Sequence, residues 1–248
     1  MKLLFWDIET KPTLAYVWGL RDQNIAINQI KEPGGVIAVG SMFADEKRAT
    51  VTSVHKDGYE AMLEHTWQRL DEADAVVSWN GKGFDTKTVF AEFARAGMKP
   101  PSPFKEVDLL LAARKKFRLP SMKLQYVSTQ LGLEGKVQHT GFQLWIDCMA
   151  GDDKAWRLMH KYCRQDVELL RPLHDQLRPW ISNYPAVALY DGGDDGVPTC
   201  SCGSIELERR GRTTTATAIY QRYRCKDCGS WSRGSKALGR VEVRQIAN

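Results

Sequence analysis

The chain has 248 residues, 43% hydrophobic and 26% charged, which fits one globular domain with a small appendage and excludes a disordered chain. Its net charge of +5 is uneven: ten Lys/Arg face four Asp/Glu from Pro198 onward, whereas the first 197 residues hold 25 against 26. No run approaches the roughly 18 apolar residues that span a bilayer, and the apolar start meets Asp7 and Glu9 too soon for a secretory signal; a soluble, cytoplasmic protein is expected, with no membrane partner.

In chain order, Leu3–Ile8 is a short apolar run with aromatic residues, the signature of a buried strand. Val36–Phe43 and Thr50–His55 are two more, and their close spacing predicts an antiparallel meander. Tyr59–Glu72 places Met62, Leu63, Trp67 and Leu70 at helical spacing. Ala75–Trp79 is a strand, and Asp85–Ala96 a helix with Val89, Phe90 and Phe93 facing inward. Val107–Lys116, Leu124–Leu131 and Asp153–Leu177 are predicted helices; Cys148 and Cys163 are expected in the core, and His139 in a loop. The pattern predicts an α/β fold, a mixed sheet flanked by helices. The Gly/Asp-rich stretch at 190–199 reads as a linker, dividing a main domain at 1–189 from a small one at 200–248.

Three segments carry candidate chemistry. Asp7 and Glu9 end the first strand, and residues i and i+2 of a strand share a face. Two carboxylates side by side repel unless a cation neutralises them, and magnesium or manganese prefers such oxygen ligands. Asn80-Gly-Lys-Gly-Phe-Asp85 follows a strand and opens a helix, where Asp85 is also a favourable first-turn residue. Tyr162 and Asp166 lie one turn apart on a helix face, which a surface pair would equally satisfy.

Together these segments resemble the DEDD family of 3′–5′ exonucleases, which have a ribonuclease-H-like fold. Asp7 and Glu9 match the first family motif, Asn80, Phe84 and Asp85 the second, and Tyr162 and Asp166 the third. The histidine subclass carries its histidine where Lys161 stands, and His160 is one residue too early, so the tyrosine subclass fits. Asp108-Leu, Arg118-Leu-Pro and Lys123-Leu also look like family-B proofreading domains.

The resemblance implies a two-metal hydrolysis of phosphodiester bonds, with the cations roughly 4 Å apart. Asp7, Glu9 and Asp166 would hold the metal that carries the attacking water; Asp7 would bridge to the second, which Asp85 would reach. Tyr162 would orient the water, because a phenol of pKa about 10 is no base at neutral pH. Asn80 and Phe84 would contact the substrate end, and Lys82 and Arg164 are either further phosphate contacts or plain surface residues. DNA is the expected partner, as single-stranded ends or branched structures, with RNA also open and protein partners unspecified. No polymerase domain follows, so proofreading in cis is not expected; proofreading in trans, recombination, repair and phage genome processing stay open. Alternatives to the exonuclease are a structure-specific endonuclease on flap or branched DNA and an inactive binding protein. The intact set of five residues argues against the last.

In the tail, Cys200, Cys202, Cys225 and Cys228 form two close pairs, the ligand set of one structural zinc. The first pair has a one-residue gap rather than the usual two. The segment from Tyr220 resembles zinc ribbons appended to transposases and other DNA enzymes. Arg209, Arg210, Arg212, Arg222, Arg224 and Arg233 interleave with Tyr220, Tyr223 and Trp231. Arginine pairs with phosphate, and the rings serve either as the ribbon's core or as stacking surfaces for bases.

Overall fold

The computed structural model describes residues 1–133, 140–190 and 196–242; His139 and half of the predicted linker lie outside them. The chain divides into two compact units, Lys2–His174 and Asp175–Asn248, the second with Met1.

The first unit is built on β1 (Leu3–Lys11), followed by a two-stranded ribbon of β2 (Leu14–Ala15) and β3 (Ile30–Glu32). Then come β4 (Gly35–Phe43), β5 (Thr50–Ser53), α1 (Tyr59–Glu72), β6 (Ala75–Ser78), α2 (Asp85–Arg95) and β7 (Lys105–Asp108). Four helices follow: α3 (Leu109–Lys116), α4 (Leu124–Gln130), α5 (Gln143–Met149) and α6 (Asp153–Leu177). The main sheet has the order β5-β4-β1-β6-β7. β1 pairs antiparallel with β4 and parallel with β6, so the predicted meander forms and is extended by two parallel strands.

β1 is central and covered on both faces, which explains its near-continuous apolar run. Leu4, Trp6 and Ile8 join Met62, Leu63 and Leu70 of α1 and Val89 and Phe93 of α2 in one core cluster. The alternate set, Phe5, Asp7 and Glu9, points the other way; Phe5 meets His174 of α6 edge-on at 5.6 Å. Register with β4 shifts between Glu9 and Thr10, which pair with Ala38 and Val36. Ile37 is the extra residue of this bulge. It lets Val36 and Val39 both enter the α1/α2 cluster while Ile37 packs with Leu144, Cys148, Trp156 and Met159.

Two expectations are corrected. Val107 and Asp108 belong to β7, not to a helix; Val107 is buried beside Val77, and α3 starts two residues later than expected, at Leu109, with Asp108 as its N-cap accepting from the Leu111 amide at 3.2 Å. Phe90 does not face inward: the buried stripe of α2 is Asp85, Val89, Glu92 and Phe93, and Phe90 is 37% exposed. Helix α5 had no signal beyond Leu144 and Cys148, a single i,i+4 pair.

In the second unit, β8 (Leu207–Thr214), β9 (Ala218–Cys225) and β10 (Trp231–Arg240) form an antiparallel sheet of order β10-β9-β8. Cys225 ends β9, and the turn to β10 carries Cys228.

Candidate active site

Asp7 and Glu9 leave β1 toward α6, continuing the face that Phe5 buries. One carboxylate oxygen from each of Asp7, Glu9 and Asp166 lies within 4.8 Å of the others. Glu9 and Asp166 are buried and Asp7 half-buried. Three ionised carboxylates this close in a poorly solvated place are mutually repulsive, so the donor set fits a hard divalent cation.

The approach of α6 depends on a residue that sequence reasoning missed. Gly40 stands opposite Asp7 in the β1–β4 register. A Cβ there would lie 2.7 Å from Val167 Cγ2 and 2.9 Å from Cys163 Sγ. Only a bare backbone lets the helix come down beside the strand and carry Asp166, the neighbour of Val167, to Asp7. A glycine inside an otherwise apolar strand was the available signal.

Tyr162, one turn before Asp166, hydrogen-bonds that carboxylate, and its ring meets Trp145 edge-on at 6.2 Å. Burial, then the charges of Asp166 and Glu9, push its pKa well above the usual phenol value. The hydroxyl therefore stays protonated and donates.

Asp85 is the first residue of α2, after Phe84 at the N-cap position. It stands outside the mutual set of three, but its Oδ1 accepts from the Ile8 amide at 3.2 Å, tying α2 to the peptide between Asp7 and Glu9. Its pKa is raised to about 6, chiefly by burial and also by the charge of Asp108, against the amides of Asp85 and Ile8.

The turn before it is dictated by sterics. Asn80 has φ +73°, a left-handed conformation that Asn tolerates better than most residues. A Cβ on Gly81 would fall 2.2 Å from Ser78 Oγ. Asp108 holds the turn by accepting from the Asn80 amide at 3.1 Å, and its buried Oδ2 has no hydrogen-bond partner among the described residues. The sequence marked Asp108 only as part of a resemblance and assigned it no role; its hold on the turn is visible only through β7. Asn80 and Phe84 are exposed, Phe84 by 46%. Lys82 is exposed, whereas Arg164 is occupied in donating to the Ala49 carbonyl at 3.2 Å, and His160 in bonding Ser53 Oγ at 2.7 Å.

Residues 4–178 match the RNase_H superfamily. The chain belongs to that superfamily. Among solved structures, one similar to this RNase_H member is the family B DNA polymerase from the hyperthermophilic archaeon Pyrobaculum calidifontis, with a TM-score of 0.55 and 17% identity. The alignment covers 72% of this chain and 24% of the polymerase, so the chain spans about a quarter of its length. A search of curated proteins returns no match. The RNase_H fold is a nuclease fold, and its acidic triad is compatible with divalent cations. No described helix is long and apolar enough to cross a membrane.

In the second unit the four cysteines also converge. Cys200 and Cys228 sulfurs are 3.6 Å apart, and those of Cys202 and Cys225 3.7 Å. Zn–S bonds of about 2.3 Å at tetrahedral angles require about 3.8 Å between sulfurs, so the set fits zinc despite the one-residue gap between Cys200 and Cys202. The Cys200 and Cys225 thiols are buried. Burial and the crowding of neighbouring thiols hold Cys202 up at about 12, whereas, against burial, the amides of Cys228 and Asp227 bring Cys225 down to about 7. A zinc ion would hold all four as thiolates. Arg222 and Arg224 are exposed on β9.

Proposed function

We propose that the chain is a divalent-metal-dependent nuclease that hydrolyses DNA from a 3′ end, belongs to the DEDD group of the tyrosine subclass, and carries a zinc-ribbon domain at 200–248 after a linker at 190–199. The observation that supports this most is the triad of Asp7, Glu9 and Asp166 within 4.8 Å, with Tyr162 bonded to its third member.

Two magnesium or manganese ions would neutralise the carboxylates, activate a water and relieve charge on the reacting phosphate. Asp7, Glu9 and Asp166 would hold one cation, and Asp85 with Asp7 would hold the other. The raised pKa of Asp85 fits a carboxylate that waits for a positive charge. Tyr162 keeps its proton for Asp166 and orients the attacking water through its hydroxyl oxygen. Asp108 and Gly81 fix the turn that presents Asn80 and Phe84; the exposed ring gives the terminal base an apolar surface. Arg222 and Arg224 contact phosphates through the ribbon.

The experiment is a time course on end-labelled single-stranded, duplex, flap and four-way-junction DNA, and single-stranded RNA, with magnesium or manganese. A ladder shortening from the 3′ end of single-stranded DNA is expected. Cuts confined to the branch would replace this reading with a structure-specific endonuclease, and no cleavage of any substrate with an inactive binding protein.

A further inference from the structure

The three-stranded sheet of the ribbon has two unlike faces. Along β9, Ile219, Gln221, Tyr223 and Cys225 alternate with Tyr220, Arg222 and Arg224. Tyr223 and Gln221 line a cleft of about 710 Å³ shared with Leu189 and Pro198, so that face is turned to the segment leading into the ribbon; Arg233 also reaches the cleft, from its place in β10 across from Arg222. Tyr223 thereby takes the core-side role that the sequence left open.

The opposite face is charged and aromatic. Trp231 and Arg233 of β10 stand across from Arg224 and Arg222. The Arg222 guanidinium lies 5.0 Å from the centre of the Trp231 ring, and that of Arg233 3.9 Å from the Tyr220 ring. Trp231 is nonetheless 54% exposed. Glu208, the acid across from Arg224, is paired with Arg210 at 2.9 Å, so it does not neutralise the charges of Arg222, Arg224 and Arg233; Arg222 donates through Nε to the Arg210 carbonyl at 2.8 Å, which fixes its side chain and leaves its terminal nitrogens to meet a phosphate. The sheet holds these groups in place, with Arg222 and Arg224 about 7 Å apart along the strand.

An array of guanidinium groups beside an exposed indole and a half-buried phenol ring matches a strand whose bases are unpaired: the arginines meet phosphates, and the indole takes a base on its open side. A duplex hides its base faces and offers only the charges. We propose that this face of the ribbon binds single-stranded DNA, with Arg222, Arg224 and Arg233 on phosphates and Trp231 and Tyr220 under bases. The proposal deepens the nuclease reading by naming the strand class that the second unit captures, but the binding itself needs no cleavage.

The test uses the full chain, zinc-loaded, carrying Asp7→Asn to prevent hydrolysis, and measures anisotropy of labelled oligo-dT and of a duplex of equal length across a salt series. Oligo-dT is expected to bind about tenfold more tightly than duplex. Trp231→Ala should weaken oligo-dT binding by roughly tenfold with the salt slope unchanged, and Trp231→Phe should recover most of it. Arg222→Ala with Arg224→Ala should flatten the slope by about 1.4, at roughly 0.7 per phosphate contact. Retained zinc and an unchanged circular dichroism spectrum separate these effects from misfolding. Equal binding by Trp231→Ala, or a preference for duplex, would overturn the proposal even if the unsubstituted protein cleaves DNA. Absence of cleavage with these binding effects intact would instead overturn only the nuclease reading.

Discussion

Tyr162 and Asp85 are both titratable groups held away from their ordinary pKa values, and the two shifts have different consequences. Tyr162 stays a phenol throughout the working range, so its contribution is geometric. Tyr162→Phe should lower kcat by roughly 100-fold with little change in KM, and neither protein's rate profile should show a tyrosine limb below pH 10. A kcat equal to that of the parent would remove Tyr162 from the site. Asp85 has a folded pKa of about 6 against 3.8. The folded state therefore binds the extra proton between these values: without divalent cation, this group favours folding as pH falls through 6 and opposes it above. Asp85→Asn should stabilise the cation-free protein at pH 8 by about 1–2 kcal/mol in urea unfolding, with the gap closing toward pH 4.5. A gap independent of pH would show that burial does not strain this carboxylate. The Asp7–Glu9 and Tyr162–Asp166 pairs were legible because strand and helix periodicities fix which residues share a face. Asp108 and Gly40 were not, since their roles arise from contacts with chain segments 28 residues away and more than 120 residues away, respectively.

At the scale of elements, the site is an intersection of β1, α2 and α6, and each approach has a local cause. The bulge at Ile37 supplies opposite faces to two core clusters, the Ile8 amide anchors α2, and Gly40 admits α6. Gly40→Ala forces the added methyl against Val167 and Cys163. It should cost about 1–3 kcal/mol of stability, read by urea unfolding, and should slow hydrolysis by displacing Asp166 from Asp7. Unchanged stability and rate would mean that the helix does not rest on this glycine. The antiparallel half of the sheet was legible because its strands are apolar and closely spaced. β7 was not, because Lys105-Glu-Val-Asp108 has only one apolar residue and is a strand through its parallel pairing with β6.

For the whole molecule, the net charge of +5 conceals two units with different chemistry. The RNase_H unit gathers acids that gain a purpose if a cation sits among them, and the ribbon gathers arginines around a four-cysteine cluster. The sequence revealed this division through where its charges and cysteines lie, but not which ribbon residues share a face, because that depends on register with β10. The central claim is that Asp7, Glu9 and Asp166 hold the cation on which DNA hydrolysis depends. Its most direct measurement is a manganese titration of Asp166→Asn beside the parent protein, with cleavage of single-stranded DNA and zinc content followed in the same samples. The predicted result is loss of manganese binding and of cleavage by more than 100-fold, with one zinc per chain retained. Cleavage by Asp166→Asn at the parent's rate would contradict it.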